Sequence, residues 1–255
     1  MIIAPFNPVW WLFLLLPAAG ALALWRWGRR WPAPLAERRM AALAGVTIAY
    51  MVLYKAAQVV QTGFLWDKLP LHACNLAAFL ALPAALAGDR RWGQPLRGFC
   101  FYGGVIFSLA AMAMPEQGYD AMPLLSVNAL GFYGFHGLVL AQSFCFATWG
   151  LHRPAWRDLL SSPLILTALA LPVHGINLLL RATVYPQANF FYTCGLAGNP
   201  VMEWLYGLIP VPFLFELPLT LLMALLCGVL LSLSRGMEGL VGLWARLRPA
   251  RRSFR

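Results

Sequence analysis

The sequence predicts an all-α, polytopic integral membrane bundle of about seven transmembrane helices, with its N-terminus outside and its C-terminus in the cytoplasm. Three observations predict this. Of 255 residues, 61% are hydrophobic and only 11% charged, against roughly 25% charged in a soluble domain. Apolar stretches recur at the roughly 18–20 residues that a helix needs to cross a ~30 Å hydrocarbon core while bonding its own backbone. The basic residues gather in alternate connections between those stretches.

Apolar runs broken by charge, Pro and Gly place the spans near 8–26, 41–61, 69–87, 98–114, 129–149, 160–180 and 211–233. The first run has no positive charge ahead of it and a basic cluster behind it, the reverse of a secretory leader, so it reads as a span. Arg26, Arg29, Arg30, Arg38 and Arg39 separate the first two spans, and Lys68 lies between the second and third. Arg90, Arg91 and Arg97 open the fourth span, Arg153 and Arg157 precede the sixth, and Arg181 follows it. The segment Pro200 to Pro212, with Trp204 and Tyr206, reads as an interfacial stretch before the last span. Residues 234–255 form a basic cytoplasmic tail with six arginines. Sixteen basic residues thus fall on one side and two on the other, which makes the basic side cytoplasmic. The net charge of +10 is a topology signal, and no nucleic-acid partner is implied.

Imposing this topology gathers the polar residues toward the outer leaflet. Lys55, Gln58 and Gln61 end the second span; His72, Cys74 and Asn75 open the third; His136 lies two turns into the fifth. His174 and Asn177 end the sixth, and Glu216 lies about a turn and a half into the seventh. At 1.5 Å per residue these groups sit roughly 5–12 Å below the outer boundary. A charge in hydrocarbon costs at least ~2.5 kcal/mol, so Lys55 and Glu216 should face the bundle interior, and one candidate arrangement pairs them. On a helical wheel Cys74 and Asn75 are neighbours while His72 points away from Cys74, which makes His136 the better partner for the thiol. His174 and Asn177, three apart, share a face and could together line a cavity. Gly131, Gly134 and Gly137 leave a shallow track beside His136 for close helix packing or a ligand. Cys100, Cys145 and Cys227 read as small core residues, and the spacing of the five cysteines suits neither a disulfide framework nor a metal site. No cofactor is called for.

The segment Leu69-Pro70-Leu71-His72-Ala73-Cys74-Asn75-Leu76 resembles the opening of the third span in the YwaF-like family of bacterial membrane proteins, as does His136-Gly137 in the fifth. That family looks related to a eukaryotic transmembrane acyltransferase family in which a membrane Cys and a membrane His carry the chemistry. Here the two are 62 residues apart. Asn177, the outer stretch containing Tyr185, Asn189, Phe190, Phe191 and Tyr192, then Asn199-Pro200 and a Trp/Pro stretch ending at Glu216, are similar to the family's remaining signature. The resemblance spans residues 40–233. Where the family has Lys before Pro, this chain has Asn199, so any role of that Lys in anchoring a phosphate is lost or moved.

The resemblance implies a lipid acyltransferase or lipid ester hydrolase of a bacterial inner membrane, acting on membrane lipids. A thiol with an ordinary pKa near ~8.5 needs a base. His136 would take the Cys74 proton, a lipid acyl group would pass to Cys74, and Asn75 or Asn177 would steady the oxyanion. Lys55, Gln58, His72, His174, Asn189 and Glu216 would support the site or bind substrate. Two readings of other classes stay open: a solute transporter or binding protein using the charged cluster, and a haem or metal protein using His72, His136 and His174. Against transport stand the lack of an internal repeat and the one-sided cluster.

Overall fold

The computed structural model describes residues 2–28, 30–115, 119, 121–196 and 200–247, with backbone alone at 200–201 and 237–247. Asn199 and the tail beyond residue 247 lie outside the described residues.

Among the described residues there are eight α-helices: α1 (Pro8–Gly28), α2 (Ala33–Thr62), α3 (Ala73–Ala85), α4 (Gly93–Ala113), α5 (Val127–Thr148), α6 (Asp158–Thr183), the short α7 (Pro200–Leu208) and α8 (Leu217–Leu247). Local chemistry sets several ends. Pro32 precedes α2 in extended backbone and Gly63 ends it in the left-handed region, its N–H bonding the Val59 carbonyl, as a C-terminal glycine does. Ser126 caps α5 by accepting the Ala129 N–H at 3.0 Å. Asp158 accepts the Ala155 N–H at 2.7 Å at the start of α6.

Among the described residues, six helices are long and apolar enough to cross a membrane. The third predicted span differs. Its helix is only 13 residues, about 20 Å at 1.5 Å per residue. Contacts at the two ends of the bundle nevertheless give α3 a full place in the alternation. Ile2–Ile3 pairs antiparallel with Met122–Pro123, so the N-terminus and the α4–α5 connection share one end, which requires an even number of traverses between them. At the opposite end Arg97 at the start of α4 holds Glu37 of α2 at 2.8 Å, the Ala84 carbonyl of α3 at 2.9 Å and the Leu151 carbonyl at 3.1 Å. There too His152 meets Asp158 at 3.0 Å, both side chains fully buried. The Arg235 guanidinium at the far end of α8 lies 5.2 Å from the Trp156 ring centre. Seven helices therefore run alternately between the ends, with α3 entering short of one of them.

Burial orders the bundle from inside to outside. In the apolar windows of α4 and α5, 61% and 72% of residues are buried, against 11% in α1 and 22% in α8. The outer helices show leucines such as Leu221 and Leu225 on the surface, as lipid-facing helices do. The glycine track of α5 is a packing surface. A Cβ at Gly131 would meet the Tyr54 ring at 2.6 Å, at Gly134 the Tyr50 hydroxyl, and at Gly137 Pro17 of α1 at 2.8 Å. Tyr50 closes that contact by donating its hydroxyl to the Leu130 carbonyl at 2.7 Å. Cys100, Cys145 and Cys227 are buried core residues.

Candidate active site

A half-open cavity of about 660 Å³ lies among α3, α4, α5, α6 and α8, a volume in the range of small-molecule sites. One part of its wall is polar, with Lys55 and Tyr54 of α2, Asp67, Lys68, His72, Cys74 and Asn75. The other is hydrocarbon: Ile106, Phe107 and Ala110 of α4, Leu166 and Ala170 of α6, and Leu219, Leu222, Met223 and Leu226 of α8. Such a cavity suits an amphiphile with one polar end.

The helix α3 positions the thiol. Pro70 and an extended His72 (φ −75°, ψ 158°) hold the chain out of helix, so α3 starts at Ala73 with no side-chain cap. Cys74 is its second residue, in the turn whose N–H groups lack intrahelical acceptors and where the helix dipole favours negative charge. Its side chain is almost entirely buried, packed with Met51, Ala78, Phe135 and Val139. Asn75 lines the cavity beside it.

His136 lines the same cavity from α5. Its Nδ1 lies 2.7 Å from the Phe132 carbonyl one turn earlier. A carbonyl oxygen only accepts, so Nδ1 carries the ring hydrogen and Nε2 keeps its lone pair. The neutral ring therefore presents Nε2 as its acceptor. His72 also faces the cavity, its ring edge-on to Phe190 at 5.5 Å, and lies within electrostatic reach of Lys55 and His136. The wheel argument that turned it away from Cys74 fails because His72 precedes the helix.

Lys55 and Glu216 both reach the cavity. Lys55 Nζ lies 5.5 Å from the Tyr54 ring centre, and Glu216 Oε1 is buried without a hydrogen-bond partner among the described residues. Glu216 closes the turn Leu214–Glu216 ahead of α8, rather than lying a turn and a half inside the span. Asn189 lines the cavity and shapes the outer strap of residues 189–196, accepting the Cys194 N–H and donating to the Gly195 carbonyl, each at 3.0 Å.

Three expected members lie elsewhere. Asn177 is fully buried and spent on the strap: its amide donates to the Phe190 carbonyl at 2.7 Å and Thr193 Oγ1 at 2.9 Å, and its oxygen accepts the Phe190 N–H at 2.9 Å. His174 follows it there, bonded to Thr193 Oγ1 at 2.9 Å. The two share a face, as their spacing predicted, but the strap covers that face instead of the cavity. His72, His136 and His174 therefore do not converge, which removes the geometry on which a three-histidine ligand set depended. Gln58 stands behind the wall, donating to Asn128 at 2.8 Å and to the cavity-lining Tyr119 at 3.2 Å.

The sequence reading missed Asp67, Lys68 and Tyr185 at the polar rim. Asp67 and Lys68 pair with each other, and burial, then Asp67, pushes the Tyr185 phenol above its ordinary range. Their signal was the acid-base pair beside Pro70, taken only as a connection. No curated protein and no solved structure matches the chain. The TMEM164 family profile matches residues 5–230, nearly the whole helical bundle together with every wall of this cavity, and the chain belongs to the TMEM164 family.

Proposed function

We propose that the protein is a membrane-embedded lipid acyltransferase, or lipid ester hydrolase, that works through a covalent thioester on Cys74. The observation that carries this reading is the joint exposure of Cys74, at an uncapped helix N-terminus, and His136, with its tautomer set by Phe132, to one amphipathic cavity. Cys74 Sγ attacks the ester carbonyl of a lipid acyl chain as its proton passes to His136 Nε2. N–H groups of the first turn of α3, with the Asn75 side chain, receive the developing oxyanion. His136 returns the proton to the leaving alcohol, and the acyl group then moves to a second lipid or to water.

The sequence motifs support a place in the bacterial YwaF-like branch and so in a bacterial inner membrane, and the charge asymmetry supports an orientation with the cavity on the outer leaflet. A membrane phospholipid is the donor in that setting, because acyl-CoA belongs to the cytoplasm. Intact-protein mass after incubation with defined phospholipids tests the reading: an acyl-sized adduct on Cys74, absent in Cys74→Ala, is the expected result. Unchanged mass together with saturable binding of a small solute would replace it with the transport reading.

A further inference from the structure

The strap that removes His174 from the cavity brings it to a second thiol. Cys194 Sγ lies 3.6 Å from His174 Nδ1 and 3.7 Å from Thr193 Oγ1. The backbone that carries the thiol is anchored, since the Cys194 N–H is held by Asn189 Oδ1. Thr193 Oγ1 receives a hydrogen from Asn177, so its own hydrogen is free to go to His174 Nδ1 or to the sulfur. The five cysteines are all free thiols, and Cys194 alone of them is not buried. A partly exposed thiol with an imidazole and a hydroxyl beside it, and not engaged in a disulfide, is suited to reaction with an external partner.

We propose that Cys194 and His174 form a thiol-modification site, separate from Cys74, that exchanges with low-molecular-weight disulfides. Cys194 Sγ attacks one sulfur of the disulfide while its proton passes to His174 Nδ1, and the Thr193 hydroxyl turns to the sulfur that has lost the proton. The disulfide S–S bond breaks, a Cys194–S–S–R bond forms, and the departing thiolate takes the proton from the imidazolium and leaves as R–SH. The product sits on the strap whose Asn189, Phe190 and Tyr192 wall the cavity.

The test uses glutathione disulfide and the full-length Cys74→Ala protein in detergent, so its outcome is independent of lipid chemistry at Cys74. One adduct is expected, mapped to Cys194 and lost in Cys194→Ser. His174→Gln should slow its formation at least ~10-fold, as loss of a general base does, and added imidazole should restore part of the rate. Thr193→Val should slow it as well, and decides the matter if His174→Gln does not fold. An adduct on another cysteine, or wild-type rates in the folded variants, overturns the proposal.

Discussion

His136 donates its Nδ1 hydrogen to the carbonyl of Phe132, four residues back on α5, at 2.7 Å. One backbone acceptor thus decides which ring nitrogen carries the hydrogen. Replacing His136 by Gln removes the basic nitrogen, and acylation of Cys74 should fall by at least ~10²-fold. Folding should survive, because a helix carbonyl on the cavity wall is already bonded within the helix. Raising the pH should recover part of the rate by ionising the thiol without a base. A His136→Gln protein that acylates at the wild-type rate in a stopped mass-spectrometric time course would remove His136 from the mechanism.

Asn177 gives the opposite expectation. Three hydrogen bonds join it to Phe190 and Thr193 in a fully buried setting, so Asn177→Ala strands the Phe190 N–H and C=O. The cost should be roughly 2–4 kcal/mol, seen as a lower melting temperature in detergent. Acylation per folded molecule should change little, unlike the losses expected at Cys74 and His136. A specific loss of acylation with unchanged melting would put Asn177 back among the catalytic groups.

The glycines of α2 and α5 separate packing from mere helicity. Gly131 faces the Tyr54 ring at 2.6 Å for an added Cβ, whereas nothing lies within 4 Å of such an atom at Gly45. Gly131→Ala should destabilise by about 1–3 kcal/mol and, because Tyr54 lines the cavity, weaken lipid binding. Gly45→Ala should stabilise by roughly 0.5–1 kcal/mol through helix propensity. Thermal melts of the two single variants read both signs.

Long apolar runs forced the helical class, and alternating basic connections forced the pairing of their ends; both follow from composition and were legible. The short α3 was not, because residues 69–72 are as apolar as the helix they precede, and only the backbone reveals that Pro70 sits in a tight turn, with the Leu71 N–H on the Leu69 carbonyl, and that His72 is extended. For the same reason the wheel misdirected His72. With His174 and Asn177 the wheel found the shared face, but no periodicity tells which neighbour will cover a face, and here it was a strap folded back from residues 189–196. The His152–Asp158 pair and the Glu37–Arg97 pair escaped because buried charge at the basic end is masked by the many exposed arginines around it.

Lys55 and Glu216, one basic and one acidic side chain, line the same cavity. If they act on each other there, replacing either by Leu leaves the other uncompensated in a low-dielectric wall, at a cost of roughly 3–5 kcal/mol, while replacing both restores neutrality. The double variant should therefore be more stable than either single one. A double-mutant cycle measured by thermal melting gives the coupling directly. Additive effects would show that each charge answers to a different partner.

The donor lipid depends on which end of the bundle faces the cytoplasm. The cavity's polar rim holds Asp67, Lys68 and Tyr185, at the end opposite Arg97, His152 and Arg235. That opposite end carries Arg38, Arg90, Arg91, Arg153 and Arg157 as exposed residues, and an excess of short-loop arginine holds a segment in the cytoplasm. A reporter that matures only in the cytoplasm should therefore be active when fused after Arg255 and inactive when inserted near Gly118. Gly118 falls between the end of α4 and the start of α5. The reverse pattern would put Cys74 and His136 within reach of cytoplasmic thioesters. Acyl-CoA, in place of a phospholipid, would then be the donor to test first, with the same adduct on Cys74 as the readout.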